Sequence, residues 1–301
     1  MKQENKVMVS LPFIGEIGHL CFSWGPVVNR AVKENNIEKC IVYGAKGMSK
    51  MFPFADDYRE VEIPKGIAET ITFRDPTPEI QSQTTEMINN IQSEVIEEFG
   101  NCLIFWIPSM LEMTHSPLYL NEGLPYQLGN RDIKSNTLKR DEPFTNTEYD
   151  KGDIVFCIRD RELSSYRNYP FHRWKEIFEA CGDMDRNCVI VGKINNETEW
   201  KDICKDLPKN IEDRTNKTSI DDCIDIFSTA GLAVGGSSGT LHIASRCGCN
   251  HLVWGKESLR DRYEILNNFN ADMSFIGEHG WFPPVTTVVD EINMMIDKGE
   301  V

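Results

Sequence analysis

Gly231-Leu232-Ala233-Val234-Gly235-Gly236-Ser237-Ser238-Gly239-Thr240-Leu241-His242-Ile243-Ala244 reads as a buried strand, a turn of small residues and the first turn of a helix. Leu232–Val234 is the apolar run, and Gly235 and Gly236 permit backbone conformations that other residues resist. Ser237, Ser238 and Thr240 can cap or line a helix start. The unpaired N–H groups there, with the helix dipole behind them, make an anion site suited to a phosphate or diphosphate. His242 is one turn into the helix, within reach of the same anion. A Gly/Ser-rich turn without a ligand has the same local sequence, so the rest of the chain decides.

Outward from this stretch, strand and helix alternate. Ile154–Ile158, Cys188–Val191 and His251–Trp254 are strand-like, with helical patterns over Phe171–Ala180, Glu197–Asp206, Ser219–Ala230 and Thr240–Cys247 between them. Toward the N-terminus, Val7–Phe13, Cys40–Tyr43, Glu60–Ile63 and Cys102–Ile107 are strand-like; helices are expected up to about Asn35 and over Glu79–Phe99. A helical pattern over Val285–Ile296 closes the chain. Repeated βα units predict parallel sheets with helices on both faces. The alternation fails from Pro108 to Asp150, a stretch rich in Pro, Asn, Thr and Gly. The expected architecture is α/β: two Rossmann-like domains facing across a cleft, residues 1–150 and 151–301, with the C-terminal helix able to pack back on the first.

Composition narrows the class. The 301 residues carry a net charge of -15. Residues 1–150 hold 14 Lys and Arg against 22 Asp and Glu, and the remainder 18 against 25, so the acidity is spread evenly. That sign opposes a nucleic-acid track. No apolar run reaches membrane-spanning length, and Val7–Phe13 is too short for a signal peptide, so a cytoplasmic protein is expected, with peripheral membrane contact left open. The ten scattered cysteines read as reduced, mostly buried thiols. Cys247-Gly-Cys249 has no second pair to complete a zinc site. Asp183-Met-Asp185 falls in a helix-to-strand loop, at the wrong end of a sheet for catalysis.

Chemistry is expected beyond the carboxyl ends of the strands. Gly15-Glu16-Ile17-Gly18-His19 follows the first strand, and Glu16 and His19 are both candidate general bases; each could instead serve only the helix start. Arg159 and Arg167 follow the first strand of the second half and suit bidentate phosphate recognition, unless they pair with Asp160 and Glu162. Lys193 ends the next strand and could meet a phosphate, while Glu197 could accept from a ribose.

The order R-N-Y-P-x-x-x-W, V-I-V-G-K, then S-I-D-D-C to the Gly231–Ala244 stretch resembles GT-B glycosyltransferases of the ADP-heptose:lipopolysaccharide heptosyltransferase type. That family has a loop D-[ST]-G-x-x-H-[LI]-A, matched by Ser238, Gly239, His242, Ile243 and Ala244; its Asp position holds Ser237. Its early G-[DE] element is matched by Gly15-Glu16. The resemblance covers most of residues 150–256 and roughly 5–35, and nothing between Ile107 and Asp150. It implies metal-independent transfer of a sugar from a nucleotide-diphosphate donor to a hydroxyl of a glycan or other acceptor, without a cofactor. Glu16 would be the base; Ser237, Ser238, Gly239, Thr240, His242, Arg159, Arg167 and Lys193 would hold the diphosphate and Glu197 the nucleoside. The alternatives are a GT-B-fold sugar-nucleotide epimerase and a sugar-nucleotide or glycan binding protein without catalysis.

Overall fold

The computed structural model describes residues 7–15, 17–64, 77–100, 102–105, 153–266 and 271–297. Its contacts divide the chain into two units, Met1–Glu142 and Pro143–Val301.

The first unit holds a four-stranded parallel sheet of β1 (Val7–Ser10), β2 (Lys39–Ala45), β3 (Asp57–Val61) and β4 (Leu103–Phe105), in the order β3-β2-β1-β4. After β1 the chain makes one α turn, Ile17–His19, then a π-helical stretch, Leu20–Trp24, before α1 (Gly25–Glu34). Single π turns inside helices recur at functional sites. The long helix α2 (Pro78–Phe99) starts at Thr77, whose side chain accepts the Ile80 N–H, and buries Ile88, Ile91 and Val95 against Val9, Leu11, Ile41 and Tyr43. That face follows the 3.6-residue period seen in the sequence. Arg59 of β3 hydrogen-bonds to Tyr43 of β2 and ties the sheet to α2 through Glu94 and Glu98.

The second unit holds six parallel strands: β5 (Asp153–Arg159), β6 (Cys188–Lys193), β7 (Ile211–Asp213), β8 (Ala230–Gly236), β9 (Asn250–Trp254) and β10 (Met273–Ile276), in the order β10-β9-β8-β5-β6-β7. This is the doubly wound Rossmann order, whose direction of progression reverses between β5 and β8. Helices α3 (Phe171–Cys181), α4 (Glu197–Cys204), α5 (Ile220–Thr229), α6 (Gly239–Arg246) and α7 (Arg260–Leu266) lie in the connections, and α8 (Val285–Asp297) follows β10. The central strands are apolar because both faces are covered. Phe156, Trp174, Phe178, Tyr169 and Trp254 pack ring to ring in the core, with Phe156 and Phe178 5.2 Å apart and Tyr169 and Trp254 5.0 Å apart. The C-terminal α8 buries Val288, Ile292 and Met295 in this same core, against α3.

Three elements go beyond the sequence expectation: β7, α7 and β10. β7 is three residues, Ile-Glu-Asp, at a sheet edge, too short to show a period. Cys102–Ile107 is a strand over Leu103–Phe105; Trp106 and Ile107, like Pro108–Asp150, lie outside the described residues.

Candidate donor site

The switch point of the second sheet lies at the carboxyl ends of β5 and β8, where open α/β sheets bind ligands. Gly235 is required there by close approach: a Cβ on it would lie 2.8 Å from the carbonyl oxygen of Cys157 on β5. Beyond β8 the Ser237 N–H donates to the Trp254 carbonyl at 2.7 Å, so the loop starts by bonding across to β9. Ser238 is the N-cap of α6, in an extended conformation and without a side-chain cap bond. The helix start at Gly239 and Thr240 is therefore not closed by Ser238, which leaves backbone donors for an anion.

Tyr263 of α7 holds this loop in shape. Its hydroxyl bonds to Ser237 Oγ at 3.0 Å and accepts the Ser238 N–H at 3.0 Å. Its ring stacks flat on His242, with centroids 4.4 Å apart and planes 7° apart. Burial pushes the Tyr263 phenol up to about 12, so it stays protonated and can donate. Ser237 and His242 are themselves buried. The Ser at the position where the related motif has Asp thus has a neutral partner of its own.

Arg167 reaches the loop from the β5–α3 connection and donates to the Ser237 carbonyl. Its guanidinium lies 4.6 Å from the centre of the Trp281 ring, and its buried Nε has no hydrogen-bond partner among the described residues. Arg159 does something different. It donates to the carbonyls of Ser164 (3.1 Å) and Leu163 (2.7 Å) and to the side chain of Asn168. It therefore clamps the connection in which Ser164, at φ 56°, takes the left-handed turn that leads to Arg167.

The other expected residues lie further along the sheet edge. Lys193 ends β6 and is exposed. Glu197 is the first residue of α4; it pairs with Lys201 at 3.1 Å and accepts from Asn216 at 3.4 Å. Asp160 joins the two connections by accepting the N–H groups of Asn195 (2.9 Å) and Asn196 (2.7 Å). In the first unit, Glu16 lies outside the described residues. His19 ends the single α turn after β1; its side chain is not among those described. Cys247 and Cys249 are buried, their thiols directed at the carbonyls of Ile224 and Asn250.

The sequence reading missed Tyr263 and Trp281. Tyr263 stands on a short, charge-rich helix, Arg-Asp-Arg-Tyr-Glu-Ile-Leu. The spacing Leu259, Tyr263, Leu266 is one helical face and could have indicated it. Trp281 sits in a loop, where no period exists.

A model of Glycosyltransferase family 9 (heptosyltransferase) matches residues 105–248, just under half of the chain. No curated protein matches the chain by sequence. Similar solved structures include the glycosyl transferase family 9 protein from Veillonella parvula DSM 2008, at 10% identity and TM-score 0.60, covering 100% of this chain and 91% of that one. The E. coli ADP-heptose lps heptosyltransferase II aligns at 10% identity and TM-score 0.61, over 98% of this chain and 100% of that one. The E. coli heptosyltransferase WaaC with ADP aligns at 11% identity and TM-score 0.57, over 97% and 99%. These likenesses carry the two-Rossmann GT-B fold. The family match runs through β5 to α6, and over that stretch the chain is similar to heptosyltransferase-like glycosyltransferases.

Proposed function

We propose that the chain transfers a heptose-type sugar from an adenosine-diphosphate donor to a hydroxyl of a glycan acceptor, in the cytoplasm and without a metal ion. The observation that carries this reading is the uncapped start of α6 at the switch point, with Arg167 bonded to the Ser237 carbonyl beside it. The bond between the anomeric carbon and the diphosphate breaks, and negative charge grows on the leaving diphosphate. The N–H groups at Gly239 and Thr240, the α6 dipole, Arg167 and His242 are the groups that take that charge. These fixed positive ends fill the role a divalent cation would otherwise serve. Lys193 and Glu197 lie toward β6 and are assigned to the nucleoside side, where Glu197 accepts from the ribose. Arg159 is assigned to holding Arg167 in place. In the first unit Glu16 takes the proton from the acceptor hydroxyl, with His19 as its competitor for that role. The ADP and ADP-sugar complexes of WaaC support the choice of nucleotide.

The test is calorimetric titration with ADP in the presence of EDTA. ADP binds the wild-type chain, and His242→Ala weakens binding about tenfold, the loss of roughly one charge-assisted bond. Binding that needs a divalent ion overturns the metal-free scheme. Unchanged affinity in His242→Ala leaves His242 with a packing role alone. Transfer to a glycan, as opposed to donor isomerisation, is read by mass spectrometry of the acceptor.

A further inference from the structure

Beside the anion loop, aromatic side chains form a row that core packing does not account for. Arg167 stacks on Trp281 at 4.6 Å, and Trp281 meets Tyr166 edge to face at 6.3 Å and 70°. Trp281 is buried, and a Cβ on Gly255 would touch both it (3.2 Å) and Ser237 (3.3 Å), so the indole abuts the loop itself. Tyr166 is the outer member, 60% exposed. It carries the row from the buried Trp281 out to the surface.

Both supports of this row are fixed. Arg159 holds the carbonyls of Leu163 and Ser164 on one side. On the other, Arg173 donates to the carbonyls of Phe282 (3.1 Å) and Pro283 (3.3 Å), and the Tyr169 hydroxyl donates to Pro283 (2.8 Å). An exposed ring on two pinned loops gives a face already ordered before a ligand arrives, which lowers the cost of binding.

We infer that Tyr166, backed by Trp281, is a stacking platform for a sugar ring, next to the diphosphate position at Ser237–Thr240. The inference rests on the donor reading above. A sugar ring has one face of C–H groups, which lies flat on an aromatic ring, and hydroxyls at its rim that stay hydrated. An aromatic ring joined through Trp281 to the loop that carries the anion position suits that shape. The ring stacked there belongs to the donor or to the acceptor, and the two are separable by experiment.

The experiment compares wild type, Tyr166→Ala and Tyr166→Phe. ADP and ADP-heptose are titrated calorimetrically, and acceptor KM is measured at saturating donor. Because Tyr166 is exposed, both variants keep the wild-type melting temperature. If the platform holds the donor sugar, Tyr166→Ala weakens ADP-heptose about 5- to 10-fold and leaves ADP unchanged. If it holds the acceptor, acceptor KM rises by that factor and both donor affinities stay. In either case Tyr166→Phe restores wild-type values. Equal loss for ADP and ADP-heptose overturns the inference in favour of base stacking, and no change in any of the three quantities overturns it outright. Wild type that binds neither probe overturns the donor reading, and the platform with it.

Discussion

At the residue scale, His251 is the most telling buried ionisable group. It is fully buried in β9, and its Nδ1 lies 3.0 Å from the Cys249 carbonyl, which requires the neutral ring to carry its proton there. Its Nε2 has no partner among the described residues. Desolvation lowers its pKa from 6.5 to about 4. The folded value lies below the unfolded one, so the unfolded chain takes up the proton first. Stability is whole above pH 6.5, falls as pH drops toward 4, and loses about 3 kcal/mol through this one group. Urea midpoints measured from pH 7 to pH 4.5 should show this slope, and His251→Gln should flatten it. An equal slope in the variant would assign the acid sensitivity to other groups. The sequence names His251 but not its burial: only its place in a strand covered on both faces makes it neutral. The same holds for Ser237. The motif showed a serine where an acid is usual, and only the fold shows that the Tyr263 hydroxyl answers it.

At the element scale, helix ends were the clearest signals. Ser219 and Asp222 form a full capping box at the start of α5: Asp222 N–H donates to Ser219 Oγ (3.1 Å), and Ser219 N–H to the Asp222 carboxylate (2.8 Å). Ser219→Ala should cost about 1 kcal/mol, read as a lower urea midpoint at unchanged slope. Since α5 packs on α6, a larger loss would mean that the anion helix shifts with it. The strands β5, β6, β8 and β9 were legible because buried parallel strands leave short continuous apolar runs. β7, α7 and β10 were not, for one physical reason. Each is short and lies toward an edge, where one face is solvated and few apolar residues are needed. The stretch of the family match that falls in 106–152 lies outside the described residues.

At the scale of the whole molecule, the proposal gives the two units separate tasks, with the donor on the second and the base on the first. Substitutions should then divide by kinetic parameter. Glu16→Gln keeps the shape and removes the basicity, so kcat should fall by roughly 10²–10⁴-fold while ADP affinity stays as in wild type. Near-full turnover in Glu16→Gln, together with loss in His19→Ala, would move the base to His19. The even charge of -15 adds a general repulsion toward an anionic donor, which the local positive ends at α6 must overcome at short range. Tyr263 gives the last part of the chain a further role. The anion loop lies at 237–240, yet the hydroxyl that shapes it comes from α7, beyond β9. A nascent chain that has emerged only through β9 contains every residue of the motif but lacks the anchor that sets the loop. On the proposed donor reading, competence to bind a phosphate would arrive only once α7 has docked, and not when β8 and α6 first form.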